Sequence, residues 1–163
     1  MQLQSITYQS TQIFYRTAGK GKPVVLIHGF AEDGDIWKNQ IEFLKDHFYL
    51  IIPDLPGSGR SSVISRQPAV GIEEYADVIK AVLDEEKISQ CSMAGHSMGG
   101  YIGLAFAEKY PEILSSLALV HSSAFADSEE KKANRLKSIE FVKKNGAYEF
   151  LKAAIVDLFT EKW

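Results

Sequence analysis

Cysteine is nearly absent from this sequence: its 163 residues contain one, Cys91. A single cysteine cannot form a disulfide bond within the chain, which excludes a small fold held together by disulfides. No Cys-His signature surrounds it, and its apolar neighbours predict a buried, unreactive thiol. Any chemistry of this chain is therefore expected at other side chains.

Long apolar runs and an excess of one charge are also missing. No stretch approaches the ~18 apolar residues that cross a bilayer, and the start of the chain lacks the basic and apolar segments of a signal peptide. The formal net charge is −3, with acidic and basic residues interspersed, so no basic surface for nucleic acid or an anionic membrane is indicated. We expect a cytoplasmic protein with a small-molecule ligand and with neither a nucleic-acid nor a membrane partner.

The sequence does contain an alternation of strand and helix patterns. Two alternating segments at the start predict antiparallel strands, and short apolar runs between amphipathic segments then predict buried parallel strands joined by helices. The predicted strands are 2–9, 11–17, 24–27, 49–52, 90–94 and 117–120, and the predicted helices are 35–47, 71–86, 98–109, 128–144 and 147–163. The expected fold class is α/β, with a mostly parallel sheet that is antiparallel at its first strands and flanked by helices.

The segment after the fifth predicted strand reads Gly-His-Ser-Met-Gly at 95–99. Gly-x-Ser-x-Gly alone arises by chance about once in twenty chains of this length. Here a strand precedes the serine and a Gly-rich helix follows it. In this setting a sharp turn, the nucleophile elbow, exposes a nucleophilic hydroxyl. Ser97 is therefore the predicted nucleophile, and the alternative is a serine in an ordinary strand-to-helix loop.

A serine nucleophile needs N–H donors for the oxyanion that develops on its substrate. The backbone N–H of Met98, at the start of the following helix, is one predicted donor. The second is the N–H of Phe30, because His28-Gly29-Phe30 directly follows a buried strand and Gly29 lets the backbone turn. A polar turn without a catalytic role is the alternative for this motif.

These two motifs and a third, Asp-Leu-Pro-Gly-Ser-Gly-Arg-Ser at 54–61, follow the order and spacing of the α/β-hydrolase family. The chain resembles that family up to about residue 123, particularly its small esterase-like members with a helical lid. The third motif is similar to the family's signature after the fourth strand, where its role is structural. A phosphate-binding loop is the alternative, but the Gly-Lys-Ser/Thr ending is missing.

The resemblance implies a hydrolase core at 1–124, truncated after its sixth strand, and the start of a lid at 125–163. It also implies a serine hydrolase that cleaves a carboxylic ester or related acyl bond through an acyl-enzyme on Ser97, with no metal or cofactor. Lactone, thioester and carbon-carbon bond hydrolysis use the same elbow and stay open. A non-catalytic ligand-binding or receptor-like protein is the alternative from another class.

Substrate contacts are predicted around the elbow and in the lid, at His28, Gly29, His96, His121 and Phe125. His121 ends the strand predicted beside the nucleophile strand, at the edge of the sheet where ligands bind. It is expected to be a pocket or lid-hinge residue, with a role as general base as the alternative. Other apolar candidates for contact with an acyl group are Trp37, Leu136, Phe141, Phe150 and Phe159.

The acid and the base of a catalytic triad are missing from this set. In this family they follow Ser97 in the order Asp or Glu, then His, whereas His28, His47 and His96 all precede it. We expect about a hundred further residues that supply both groups, and a chain that is nearly inactive alone. If the protein ends at Trp163, its last strand would be a bare apolar edge, which predicts a complementary C-terminal fragment or a domain-swapped homo-oligomer.

Overall fold

In the described part of the chain, six strands form one sheet in the order β1-β2-β4-β3-β5-β6. They are β1 (Gln2–Tyr8), β2 (Thr11–Gly19), β3 (Lys22–Ile27), β4 (Phe48–Pro53), β5 (Cys91–His96) and β6 (Leu114–Val120). The first two pairs, β1 with β2 and β2 with β4, are antiparallel, and the other three pairs are parallel. The mostly parallel sheet with antiparallel first strands confirms the predicted fold class.

The structure is a computed structural model that describes residues 1–64 and 70–156, the last two by their backbone alone. The chain divides into two compact units, Met1–Ala124 and Phe125–Trp163. The end of the last predicted helix, with Phe159, lies outside the described residues.

Helices of the first unit follow the strands as predicted, with one difference. They are α1 (Lys38–Leu44), α2 (Ile72–Glu85) and α3 (Met98–Lys109). The segment predicted as one helix over 35–47 begins instead as a 3₁₀ turn, Gly34–Trp37. Asp33 caps this turn, since its carboxylate accepts the N–H of Asp35 at 2.8 Å. Short 3₁₀ turns of this kind are common where helices begin.

Apolar residues cover both faces of the central strands. Val25, Ile27 and Ile51 belong to the larger core, which also contains side chains of α2 and α3, whereas their neighbours Leu26 and Leu50 belong to a smaller core that includes residues of α1. This division follows the alternation of side chains along a strand. Cys91 lies in the larger core, as predicted, and its burial raises the pKa of the thiol to about 11.

Strand β6 lies at the end of the sheet and begins three residues earlier than predicted. Ser115 and Ser116 are exposed there, so the apolar run at 117–120 marks only the second part of the strand. Within residues 1–64 and 70–156 no strand pairs with the outer side of β6.

The second unit contains the helices α4 (Glu129–Asn145) and α5 (Ala147–Val156). Ser128 caps α4 by accepting the N–H of Lys131 at 3.3 Å, and Gly146, at φ 87°, ends it at the predicted break. Leu136 is exposed, and the rings of Phe141 and Phe150 lie 6.5 Å apart beside an open groove between the two helices. In the part of the chain that the structure describes, no helix has both the length and the apolar character needed to span a bilayer.

Candidate functional site

Ser97 occupies a strained turn between the carboxyl end of β5 and the first residue of α3. Its backbone has φ 50° and ψ −114°, a region that costs a non-glycine residue about 1–3 kcal/mol and persists only where the surroundings enforce it. Here the N–H of Ser97 donates to the carbonyl of Val120 at 3.0 Å, while its own carbonyl accepts from Ser122 Oγ at 2.8 Å and from Gly100 N–H at 3.0 Å. These bonds fix the serine on a rigid turn between strand and helix.

The end of β5 and the first turn of α3 touch each other at Gly95. A Cβ atom at this position would lie 2.2 Å from the carbonyl oxygen of Gly99, which no real side chain tolerates. A Cβ atom at Gly99 would lie 2.4 Å from the carbonyl oxygen of Ile27. The two contacts together explain why the serine is flanked by glycines two residues away on either side.

The turn after β3 lies directly against this elbow. A Cβ atom at Gly29 would be 3.1 Å from Ser97 Cβ and 3.2 Å from the carbonyl oxygen of His96. Both backbone groups of Gly29 are bound: its N–H donates to Glu32 Oε2 at 2.7 Å, and its carbonyl accepts from His28 Nδ1 at 2.8 Å. The structure therefore brings together two of the three motifs, at Gly29 and Ser97.

The His28 ring is fully buried, at 0% exposure. Its Nε2 accepts the N–H of Leu55 at 2.9 Å, so Nδ1 carries the proton that it donates to Gly29. Burial lowers the pKa of His28 and keeps the ring neutral. The prediction that His28 contacts substrate is wrong, because its ring faces the interior and both of its nitrogens are used by the backbone.

The bond from His28 also orients the next peptide. No cis peptide bond occurs among the described residues, so the N–H of Phe30 points opposite to the carbonyl of Gly29. Since that carbonyl points toward the buried ring, the N–H of Phe30 points away from the interior. The role of this N–H as an oxyanion donor stays a prediction.

His96 and His121 lie together beside the elbow. His96 Nδ1 is 2.9 Å from Glu32 Oε2, and its ring meets those of Trp37 and His121 edge-on at 6.5 Å and 5.9 Å. His121 follows β6, whose Val120 pairs with His96, and it has φ 46°. Trp37 is buried in the smaller core, which makes it a core residue and not the acyl contact considered for it.

All four histidines lie within residues 1–64 and 70–156, where none is hydrogen bonded to Ser97. His28 and His96 are bound as described, and His121 contacts the His96 ring. His47 contacts Phe43 just before β4 begins. Because β4 and β5 both run parallel to β3, His47 lies at the edge of the sheet opposite to Ser97.

The sequence model of the alpha/beta hydrolase fold matches residues 22–156. This chain belongs to that family. The match confirms the resemblance inferred from the three motifs.

Relatives within the family have related hydrolytic activities in their names. A putative carbamate hydrolase RutD of Pantoea ananatis (strain LMG 20103) is 30% identical over 124 residues, 74% of this chain and 45% of the relative. The structure of a thermophilic esterase from Thermogutta terrifontis is similar, with TM-score 0.80 and 36% identity. The match covers 90% of this chain and 55% of the esterase. The structure of the N-acyl homoserine lactonase AidH has TM-score 0.72 and 29% identity, and the match covers 77% of this chain and 47% of the lactonase. This chain spans about half the length of these three relatives.

Three further residues predicted for the site are Met98, Phe30 and Phe125. Met98 is the first residue of α3, where no preceding helical turn supplies an acceptor for its N–H. Phe30 is in the turn after β3, with an exposed ring. Phe125 begins the second unit and is exposed there, and its contact with substrate stays a prediction.

The Gly-rich loop of the third motif forms hydrogen bonds within the protein. Four of its N–H groups donate to protein oxygens: Gly57 to Ser62, Ser58 to Leu55, Arg60 to the Asp54 carboxylate and Ser61 to Ser58. A phosphate-binding loop needs such groups directed at its ligand. The phosphate alternative is therefore wrong, and the structural role implied by the family resemblance fits the loop.

Sequence reasoning missed two groups of this site, Glu32 and Ser122. Glu32 joins Gly29 to His96, and Ser122 holds the Ser97 carbonyl. Neither belongs to a recognisable motif. Their only local signal is position, because each lies in an irregular segment that follows the carboxyl end of a parallel strand, where ligand sites of α/β proteins form.

Proposed function

We propose that the protein is a serine hydrolase that cleaves a carboxylic ester or related acyl bond of a small molecule, with Ser97 as its nucleophile. The observation that carries this proposal is the strained backbone of Ser97 at the start of α3, with Gly29 packed against it. The names of the esterase, lactonase and carbamate hydrolase relatives support acyl bonds as the substrate class.

In the proposed reaction Ser97 Oγ attacks the carbonyl carbon of the substrate while a general base takes the hydroxyl proton. The N–H groups of Met98 and Phe30 stabilise the oxyanion that forms. Collapse of the tetrahedral intermediate breaks the bond to the alcohol, which leaves with the proton from the base. Water then attacks the acyl-enzyme, releases the acid and restores the Ser97 hydroxyl.

We infer that the base is a histidine outside these 163 residues. His28 is buried, His96 binds Glu32, His47 lies at the opposite edge of the sheet, and His121 contacts the His96 ring. A later segment of the same polypeptide or a second chain would then supply the base and its acid. Residues 125–163 are proposed as the beginning of a lid, since Phe125, Leu136 and Phe141 expose apolar side chains.

The proposed function is tested with the protein at its natural length and a panel of short acyl esters, lactones and thioesters. Saturable hydrolysis of at least one class supports it. Saturable binding of one of these compounds without turnover would instead assign the non-catalytic, ligand-binding role.

His121→Ala tests where the base lies. We expect kcat/KM for 4-nitrophenyl acetate to fall by less than about tenfold, because the loss of a true triad base costs about 10⁶ in turnover. His47→Ala, at the opposite edge of the sheet, is the matched control and should leave turnover unchanged. A loss of about 10⁴ or more in His121→Ala alone would make His121 the base.

A further inference from the structure

One carboxylate oxygen connects the turn after β3 to the residue that precedes the nucleophile. Glu32 Oε2 accepts the N–H of Gly29 at 2.7 Å and lies 2.9 Å from His96 Nδ1. A carboxylate only accepts hydrogen bonds, so His96 Nδ1 carries the proton of this second bond. Glu32 is three residues from Gly29 but 64 residues from His96 in the sequence.

The two peptide groups that meet at Gly29 are thereby both held. His28 binds the carbonyl of the Gly29-Phe30 peptide from the interior, and Glu32 binds the N–H of the His28-Gly29 peptide from the side of the elbow. Hydrogen bonds to an ionised carboxylate are about twice as strong as neutral ones. Glu32 therefore fixes the peptide before Gly29, and His28 fixes the next peptide, to which the Phe30 N–H belongs.

The turn also contains a backbone conformation of raised free energy. Ala31 has φ 59°, which costs a residue with a Cβ atom free energy. If the Glu32 carboxylate is lost, Gly29 N–H loses its acceptor and the turn can relax away from Ser97. A shift of about 1 Å in a positioning element can cost about 10²-fold in rate.

We propose that Glu32 is a positioning residue of the reaction, which rests on the proposed function: by joining the His28-Gly29 peptide to His96, it holds the turn that carries the Phe30 N–H at the distance from Ser97 that the oxyanion requires. Glu32 does not react with the substrate. Its contribution is realised in the transition state, when the charge on the oxyanion develops.

Glu32→Ala and Glu32→Gln separate this role from a merely structural one. In Glu32→Ala we expect kcat to fall about ten- to a hundredfold, somewhat less than the 10²–10³ for removing an oxyanion donor outright, with KM within about threefold. Glu32→Gln retains an oxygen that can accept both bonds, so its kcat should stay within about fivefold of the parent. Glu42→Ala removes an exposed carboxylate on α1 and is the matched control, with unchanged kcat.

The unfolding midpoint in urea is measured for each variant, so that kcat is compared only where all proteins are folded. A folded Glu32→Ala with unchanged kcat overturns the inference, as does a Glu32→Gln that loses as much as Glu32→Ala. In both cases the parent enzyme is still active and the proposed function stands. A parent protein without any hydrolysis or covalent labelling overturns the proposed function itself.

Discussion

Ser97→Ala is expected to lower kcat for ester hydrolysis by about 10⁴- to 10⁶-fold, with KM within about threefold of the parent. Removing the nucleophile of a serine hydrolase costs nearly as much as removing the whole triad. The fold should tolerate the exchange, because the three hydrogen bonds at the elbow that involve residue 97 use its backbone N–H and carbonyl. The substrate pocket is then unchanged while the attacking oxygen is gone.

Ser116→Ala is the matched control for this prediction. Ser116 lies on β6, where its hydroxyl donates to Ser92 Oγ at 2.8 Å on the exposed side of the sheet. We expect its kcat to equal that of the parent. A Ser97→Ala protein with more than about a tenth of the parental kcat would contradict the assignment of the nucleophile.

Asp54→Ala is expected to lower the free energy of unfolding by about 3–5 kcal/mol, the usual cost of leaving one partner of a buried ion pair uncompensated. Asp54 Oδ1 accepts from Arg16 Nη2 at 2.8 Å and from Gly34 N–H at 3.0 Å, and Oδ2 accepts from Arg60 N–H at 3.1 Å. The Arg16 and Asp54 side chains are only 8% and 3% exposed. The carboxylate therefore joins β2, the 3₁₀ turn and the Gly-rich loop.

Urea unfolding at neutral pH measures this effect. Asp35→Ala is the control, because Asp35 also pairs with Arg16 but its side chain is 77% exposed, and exposed pairs contribute about 0–1 kcal/mol. Equal losses in the two variants would show that burial of the Asp54 pair contributes nothing.

The same carboxylate gives stability a defined pH dependence. Burial alone would raise the pKa of Asp54, but hydrogen bonds from Gly34, Arg60 and Arg16 outweigh it and lower the pKa below its ordinary value. The stabilisation is thus fully present above the unfolded pKa of about 4 and is lost as the pH falls through the folded value. Asp54→Asn has no carboxylate to protonate at this position. Its free energy of unfolding, measured in urea between neutral and acid pH, should therefore fall less steeply than that of the parent as the pH is lowered.

The order of strands and helices and the position of Ser97 follow from local patterns. Buried strands are marked by apolar runs, and the elbow by glycines that close packing requires. Strand β6 was predicted only in part, because the exposed residues Ser115 and Ser116 interrupt its apolar pattern.

Local patterns predict neither the direction in which a side chain points nor a contact between residues that are far apart in the sequence. A histidine at the end of a strand can face the ligand or the interior. The His28 ring faces the interior because it binds the buried N–H of Leu55, which is 27 residues away in the sequence. Glu32 and His96 are separated by 64 residues, so no local motif marks their contact. Local sequence thus predicts the turn at Ser97 but not what holds the turn at Gly29 beside it.

Covalent labelling by a fluorophosphonate tests the activated nucleophile most directly. With the protein at its natural length, intact mass and peptide mapping should show one equivalent of phosphonate on Ser97, and none in Ser97→Ala. Folded parent protein that stays unlabelled, or that carries the label on another serine, would contradict the central claim that Ser97 is the nucleophile of this hydrolase.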